Sequence, residues 1–255
     1  MKAAVIGLGV IGSAQVRLLG GMVHVTYDVK DSKKYPSRAI HGCDFAVICV
    51  GTPQGEDGRA DLTALHAALR RLPASRPVMI RSTIPPGTTA ALEATRKCVV
   101  HVPEFMSERD DGMWRKPDDV PFLICGGTRK ALEWFQPILT AMAGGPVYPC
   151  TGLEAELIKY TANAFLAAKV TFVNEISRVC EAFGADWGTV REGWLHDPRA
   201  GISHTATEGH GPGFGGSCLP KDLSALIRAT WDAGYFPGFL NAIDNANARF
   251  RGGAG

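Results

Sequence analysis

Lys2-Ala3-Ala4-Val5-Ile6-Gly7-Leu8-Gly9-Val10-Ile11-Gly12 runs from a short apolar stretch straight into spaced glycines, and the residues after it have helical character to about Leu19. A strand, a GxGxxG turn and a helix in that order form a phosphate cradle. Gly7 makes the tight turn, Gly9 lets backbone approach a pyrophosphate, and Gly12 lets helix and strand pack closely. The backbone of Val10 and Ile11 opens the helix, whose amino end favours negative charge. Val23 to Tyr27 reads as the next strand, and Asp28 at its end is the carboxylate that accepts hydrogen bonds from an adenosine ribose. A carboxylate there repels a 2′-phosphate, so the pattern points to NAD. Lys30, Lys33 and Lys34 leave NADP as the lesser alternative, since a lysine-rich loop is more simply a solvated one.

Outward from this unit, further strands are expected at 44–50, 77–81, 99–102, 121–125 and 147–149, with helices near 62–72 and 129–143. Alternation of this kind predicts an α/β fold, a Rossmann-type doubly wound parallel sheet over residues 1–150. Only fourteen residues separate Asp28 from Cys43, so the crossover between those strands has to be very short. Polar residues gather at strand ends, where ligands bind in such sheets. Gly51-Thr52-Pro53, Ser82 to Thr88 and Pro103-Glu104-Phe105-Met106-Ser107-Glu108 are the three clusters. Each alone reads as a turn; together with the glycine fingerprint they mark Thr52, Pro53 and Thr83 as cofactor contacts.

Residues 151–255 read as all-helical. Thr151-Gly152-Leu153-Glu154 is a capping-box pattern, and no proline or interior glycine follows until Gly184, which predicts one long helix over 152–183. Ile158, Phe165, Phe172 and Val179 recur every seven residues, with Ile176 and Phe183 beside them. Such a stripe packs on other helices or on a second subunit, so a homodimer through this helix is expected. Lys159 and Asn163 lie four apart and share a face. Further helices are expected at 187–195, 221–233 and 238–249.

Gly213-Phe214-Gly215-Gly216-Ser217-Cys218-Leu219-Pro220-Lys221-Asp222 sets a thiol after a glycine loop and before a helix, because Pro220 suits the first helical position. The positive helix end and Lys221 both lower the pKa of a thiol placed there. Cys43, Cys49, Cys98, Cys125, Cys150 and Cys180 lie in or beside apolar runs, as inert buried cysteines do. Cys218 alone is set among Gly, Ser, Pro, Lys and Asp, which marks it as a nucleophile.

The remaining bulk properties narrow the field. With 255 residues and a formal net charge of +2, the chain can bury two cores and gives no electrostatic reason to expect nucleic acid or a membrane surface as partner. Seven cysteines without paired spacing argue against both a disulfide framework and a zinc site. The first strand begins too soon after Met1 for a signal peptide and no apolar run approaches a membrane span, so a cytoplasmic location is expected.

GLGVIG, VGTP, STIPPGT, PEFMSE, AELIKYTANAFLAAK, Asp197-Pro198-Arg199-Ala200-Gly201 and GFGGSCLPKD occur in order over almost the whole chain. By these motifs the chain resembles the UDP-glucose/GDP-mannose dehydrogenase family of nucleotide-sugar dehydrogenases. The resemblance implies oxidation of a sugar primary alcohol to the carboxylate in two steps, each consuming NAD. It implies Cys218 as the nucleophile that forms a thiohemiacetal and then a thioester, and Lys159 and Asn163 as stabilisers of the developing oxyanion. It implies Asp222 as the group ordering Lys159 or the hydrolytic water, and Glu108 and Thr83 as base and water-positioning residues. Substrate contacts implied are Glu104, Phe105, Met106, Glu108, Lys159, Asn163, Phe214, Gly215, Lys221 and Arg199, the last offered to a neighbouring subunit. Family members continue into a third, carboxyl-terminal domain that binds much of the nucleotide, so the resemblance also implies a shortened member. Two other readings are open: a one-step dehydrogenase of the β-hydroxyacid type, and an NAD-binding catalytic half that needs a separate carboxyl-terminal polypeptide.

Overall fold

In the computed structural model, the described residues are 1–31, 34–106, 120–207 and 211–252. Seven strands and nine α-helices occur among them. The sheet is built from β1 (Ala3–Ile6), β2 (Val23–Tyr27), β3 (Phe45–Ile48), β4 (Val78–Ile80), β5 (Val99–His101), β6 (Leu123–Gly127) and β7 (Val147–Cys150). Their order is β2-β1-β3-β4-β5-β6-β7. It reverses at β1, so the crevice at the carboxyl ends of β1 and β3 is the place where such sheets bind ligands.

Between the strands run α1 (Val10–Leu19), α2 (Ser37–His41), α3 (Thr63–Arg70), α4 (Thr88–Glu93) and α5 (Arg129–Met142). The short crossover after Asp28 is accommodated by α2, five residues long. Every residue of β3 is buried because both faces of the sheet are covered. Ala46 and Ile48 pack with Ile40, Leu65, Leu69 and Ile80 on one face, while Phe45 and Val47 meet Phe135, Ile138 and Leu139 on the other. The period of two along the strand assigns each residue to its layer.

One pairing departs from the all-parallel expectation. β5 and β6 run antiparallel, with Val100 opposite Gly127 and His101 opposite Gly126. Strand length and apolar content carry no sign of direction, which a hydrophobic run leaves open. The two glycines admit tight neighbours: a Cβ on Gly127 would sit 2.8 Å from the Val99 carbonyl, and one on Gly126 2.5 Å from the Ala155 methyl.

The remaining helices are α6 (Gly152–Phe183), α7 (Trp187–Leu195), α8 (Leu219–Asp232) and α9 (Gly238–Phe250). The capping box that opens α6 is formed: Glu154 N–H donates to Thr151 Oγ1 at 3.2 Å, and Thr151 N–H to a Glu154 carboxylate oxygen at 2.7 Å. Reciprocal caps of this kind stabilise a helix by roughly 1 kcal/mol.

Contacts divide the chain inside α6, between Lys159 and Tyr160. One unit holds the sheet and its helices. The other holds residues 160–252 together with 56–59, so the turn after β3 joins the helical unit. There Arg59 ion-pairs with Asp232 at 2.7 Å and the Gly58 carbonyl accepts from Ser224 Oγ at 2.9 Å. The helical core gathers Ala164, Ala167 and Val170 of α6, Phe214, Leu223 and Ile227, and Ile243 of α9. The large apolar stripe takes no part in it. Phe165, Phe172, Val179 and Phe183 are exposed, because α6 turns its small side chains inward and lets its neighbours approach closely.

Candidate active site

The glycine turn has the geometry its spacing dictates. Gly7 has φ of 90°, and a Cβ there would lie 2.7 Å from the Cys49 carbonyl oxygen. At Gly12 a Cβ would come 1.8 Å from the Gly7 oxygen, so helix and turn touch with no room for a side chain. Gly9, the N-cap of α1, has nothing within 4 Å of where its Cβ would be. The two structural glycines are thus packed while the ligand-side glycine is open, which fits a cradle for a dinucleotide pyrophosphate. Val10 and Ile11 form the first helical positions beside it.

Asp28 lies where a ribose carboxylate belongs and also braces the turn. One of its oxygens accepts from Leu8 N–H at 2.7 Å and the other from Lys30 N–H at 2.8 Å. These two amides, Leu8 first, hold its pKa below the ordinary carboxylate value. Lys33 lies outside the described residues, as does Glu108.

Across the crevice, the Thr52 hydroxyl donates to the Thr83 carbonyl at 2.8 Å and Ser82 Oγ to the Val50 carbonyl at 2.7 Å. These bonds join the loop after β3, where Pro53 is exposed, to the loop after β4. The latter is gripped from α6 by Glu156, fully buried, whose carboxylate accepts from Gly87 N–H, Thr89 N–H and Thr89 Oγ1, each at 2.6 Å. Burial outweighs these bonds and raises the Glu156 pKa.

Glu104 is committed to structure rather than open to a ligand. One oxygen pairs with the buried Arg81 guanidinium, which also donates to the Val102 carbonyl at 2.7 Å; the other accepts from Phe105 and Met106 N–H at 2.9 and 3.1 Å. The turn so formed lays the Phe105 ring 5.1 Å from the Lys159 ammonium, a cation–π contact. His101, on the neighbouring strand, is fully buried, and desolvation pushes its pKa down to about 3, so it is neutral here. Arg81, His101 and Glu156 carried no recognisable signal in the sequence, where Arg81 merely precedes the Ser-Thr turn.

In the helical unit, Cys218 is the N-cap of α8 and Pro220 follows within its first turn. Its thiol is half-buried and lies 3.4 Å from Ser217 Oγ. Asp222 is buried and joins two expected site residues, accepting from Asn163 Nδ2 at 2.5 Å and pairing with Lys221. The ammonium expected to act on Cys218 is therefore balanced by a carboxylate, and the thiol stands at the amino end of α8, where the helix favours negative charge. Lys159 and Asn163 occupy successive turns of α6 and both are buried.

Two expected substrate contacts turn their side-chain positions into the protein. Phe214 has 0% exposure and its ring belongs to the helical core, so it anchors the loop. At Gly215, the other of the two, the side where its Cβ would be is filled by the Arg251 guanidinium, 2.7 Å away; Gly216, with φ of 79°, is the glycine facing open space. Arg199, 89% exposed at its side chain, folds back onto Asp197 at 2.6 Å.

Five other thiols are held protonated by burial. Burial holds Cys49 and Cys125 up to about 12 and Cys150 up to about 11, and also raises Cys43 and Cys98. Thiols so raised are protonated and unreactive at neutral pH. The arrangement therefore offers a dinucleotide cradle in one unit and, in the other, a single presented thiol beside a buried amide–carboxylate–ammonium cluster.

Comparison with known proteins agrees with this inventory. Residues 28–111 match the NAD binding domain of the UDP-glucose/GDP-mannose dehydrogenase family and residues 153–249 its central domain. The chain is 37% identical over 234 residues to the UDP-glucose 6-dehydrogenase of Pseudomonas aeruginosa, covering 84% of this chain and 50% of that protein. It is 36% identical to the UDP-glucose 6-dehydrogenase AglM of Haloferax volcanii, covering 80% of this chain and 52% of that one. It thus spans about half the length of the curated relatives it matches. Among solved structures, a UDP-glucose dehydrogenase from Pyrobaculum islandicum superposes with a TM-score of 0.82 at 28% identity, over 97% of this chain and 68% of that one. A 3-hydroxyisobutyrate dehydrogenase from Mycobacterium tuberculosis shares the fold, with a TM-score of 0.70 at 18% identity over 98% of this chain and 93% of that one. With two successive domains matched and the glycine cradle formed, the chain belongs to the UDP-glucose/GDP-mannose dehydrogenase family.

Proposed function

We propose that the chain oxidises the primary alcohol of a nucleotide sugar to the carboxylate in two steps, through a covalent intermediate on Cys218. The observation that carries this reading is the placement of Cys218 at the amino end of a fourteen-residue helix whose first turn joins Asp222 to Asn163 and Lys221. Bound NAD supplies the hydride acceptor for both oxidations, alcohol to aldehyde and thiohemiacetal to thioester.

The protein's own part is nucleophilic and electrostatic. The Cys218 thiolate adds to the aldehyde carbon, forming the C–S bond; after the second oxidation water attacks the thioester carbonyl, the C–S bond breaks, and carboxylate and thiol are released. Lys159 and Asn163 serve as cation and amide donor to the oxyanion of these tetrahedral species. Asp222 fixes the Asn163 amide by accepting from its Nδ2. Gly7, Gly9, Val10, Ile11 and Gly12 hold the pyrophosphate, Asp28 the ribose, and Thr52, Pro53 and Thr83 line the cofactor side. Glu108 and Thr83 are assigned to base and water positioning, and Met106, Lys221 and Arg199 to the substrate.

The exposed stripe of Phe165, Phe172, Val179 and Phe183 supports a homodimer through α6. Among the described residues no helix is long and apolar enough to cross a membrane. The test is an NADH-absorbance assay of the purified chain against UDP- and GDP-sugars, counting NADH per sugar. Two are expected, with Cys218→Ser stalling after the first. One NADH and indifference to Cys218→Ala would favour the one-step alternative. NAD binding without turnover, restored by adding a carboxyl-terminal fragment of a longer relative, would identify a catalytic half.

A further inference from the structure

The loop before Cys218 is held from two helices by two buried asparagines. Asn247 of α9 uses its whole amide on one residue: Oδ1 accepts from Phe214 N–H at 2.7 Å and Nδ2 donates to the Phe214 carbonyl at 3.1 Å. Asn174 of α6 accepts from Gly213 N–H at 2.9 Å and donates to the Val170 carbonyl of its own helix at 2.8 Å. Both asparagines are less than 8% exposed. Gly213 is glycine for the same reason, since its φ is 76° and a Cβ there would lie 2.5 Å from Asn247 Oδ1. One turn further along, Arg251 fills the space at Gly215.

From these contacts we infer that Asn247, assisted by Asn174, is a positioning residue that holds the glycine loop so that Cys218 stays at the amino end of α8. A buried side-chain amide satisfying both backbone polar groups of one residue fixes that residue as a strand partner would. Phe214, anchored by its ring, and Asp222, tied to Asn163, then bracket the thiol four residues from each, and only Gly216 between them has both positive φ and open space. Loss of the clamp lets the loop pivot at Gly216 and move the sulfur away from the helix end. This rests on Cys218 being the reactive thiol.

The test is the rate at which iodoacetamide labels Cys218 in the full chain at pH 7, read by peptide mass with the buried cysteines as internal references. Asn247→Leu removes both bonds at similar size and is expected to slow labelling about tenfold. Asn247→Asp keeps the acceptor and is expected to fall between. Arg191→Met, which removes the bonds from α7 to Thr205 in the same unit and touches neither the loop nor its core, should lower the melting temperature while leaving the labelling rate alone. Should Asn247→Leu fail to fold, Asn174→Ala, which frees the Gly213 amide but leaves both Phe214 bonds, carries the expectation at about threefold. Unchanged or faster labelling in the folded Asn247 variants overturns the positioning role. A slow, pH-insensitive Cys218 in the unsubstituted chain instead overturns the nucleophile reading, and the two failures are read in separate samples.

Discussion

At the scale of single residues, the glycine turn is where sequence and geometry coincide most closely. Gly12→Ala would put a methyl 1.8 Å from the Gly7 oxygen, so helix and turn must separate. Overpacking of this kind costs about 1–3 kcal/mol, and the displaced turn should also lose NAD; thermal unfolding and a calorimetric NAD titration measure the two effects. Gly9→Ala, with nothing nearby, is the contrast, expected to leave stability nearly intact while weakening NAD. Asp28 adds a pH dependence. Its folded pKa is lowered by the Leu8 and Lys30 amides, so its stabilisation is complete above the unfolded value of 3.8 and disappears as pH falls through the lowered folded one. Melting temperatures from pH 6 to pH 3 should fall less steeply for Asp28→Asn than for the parent; equal slopes would mean the carboxylate braces nothing. All these residues were legible beforehand, because GxGxxG and its carboxylate are local in sequence and each glycine answers a local steric demand.

At the scale of elements, the strongest couplings are between loops and helices distant in sequence. Glu156 spans to Gly87 and Thr89 and so ties the loop of Thr83 to the first turns of α6. Glu156→Gln replaces one acceptor oxygen by an NH₂ group, which, with the remaining oxygen kept on Thr89, faces the Gly87 N–H donor, and this should cost about 1–3 kcal/mol. By scanning calorimetry that corresponds to a drop of roughly 2–10 °C for a chain of this size. The Arg81–Glu104 pair is a buried ion pair, and Arg81→Met, which strands a buried carboxylate, should cost about 3–5 kcal/mol. Neither coupling could be read from the sequence. Helix and strand periods place a residue on a face, but they do not say which distant backbone amides that face will meet. The capping box at Thr151 and Glu154, whose partners are three residues apart, was legible for the opposite reason.

For the whole molecule, the question is what covers the outer stripe of α6. Small side chains, Ala155, Ala164 and Ala167 among them, face inward, leaving Phe165, Phe172 and Phe183 outside at 65%, 52% and 85% exposure. With a second copy seated there, light scattering should give twice the chain mass, and Phe172→Glu should return the monomer by burying a charge in that contact. A monomeric parent would remove the dimer from the reading of this helix.

The sequence by itself determined the glycine cradle, its carboxylate, the alternating α/β order, the long capped helix and the thiol at a helix start. Each depends on spacing within one or two turns or on one strand and its connection, and short-range sterics decide them. Tertiary structure alone decided the antiparallel entry of β6, the inward turn of the small face of α6, the commitment of Glu104 to Arg81 and of Asp222 to Asn163, and the clamp of Asn174 on Gly213 and of Asn247 on Phe214. Those features set buried polar groups against partners far along the chain. The requirement that such groups be satisfied is general, but only the packed fold supplies the partner.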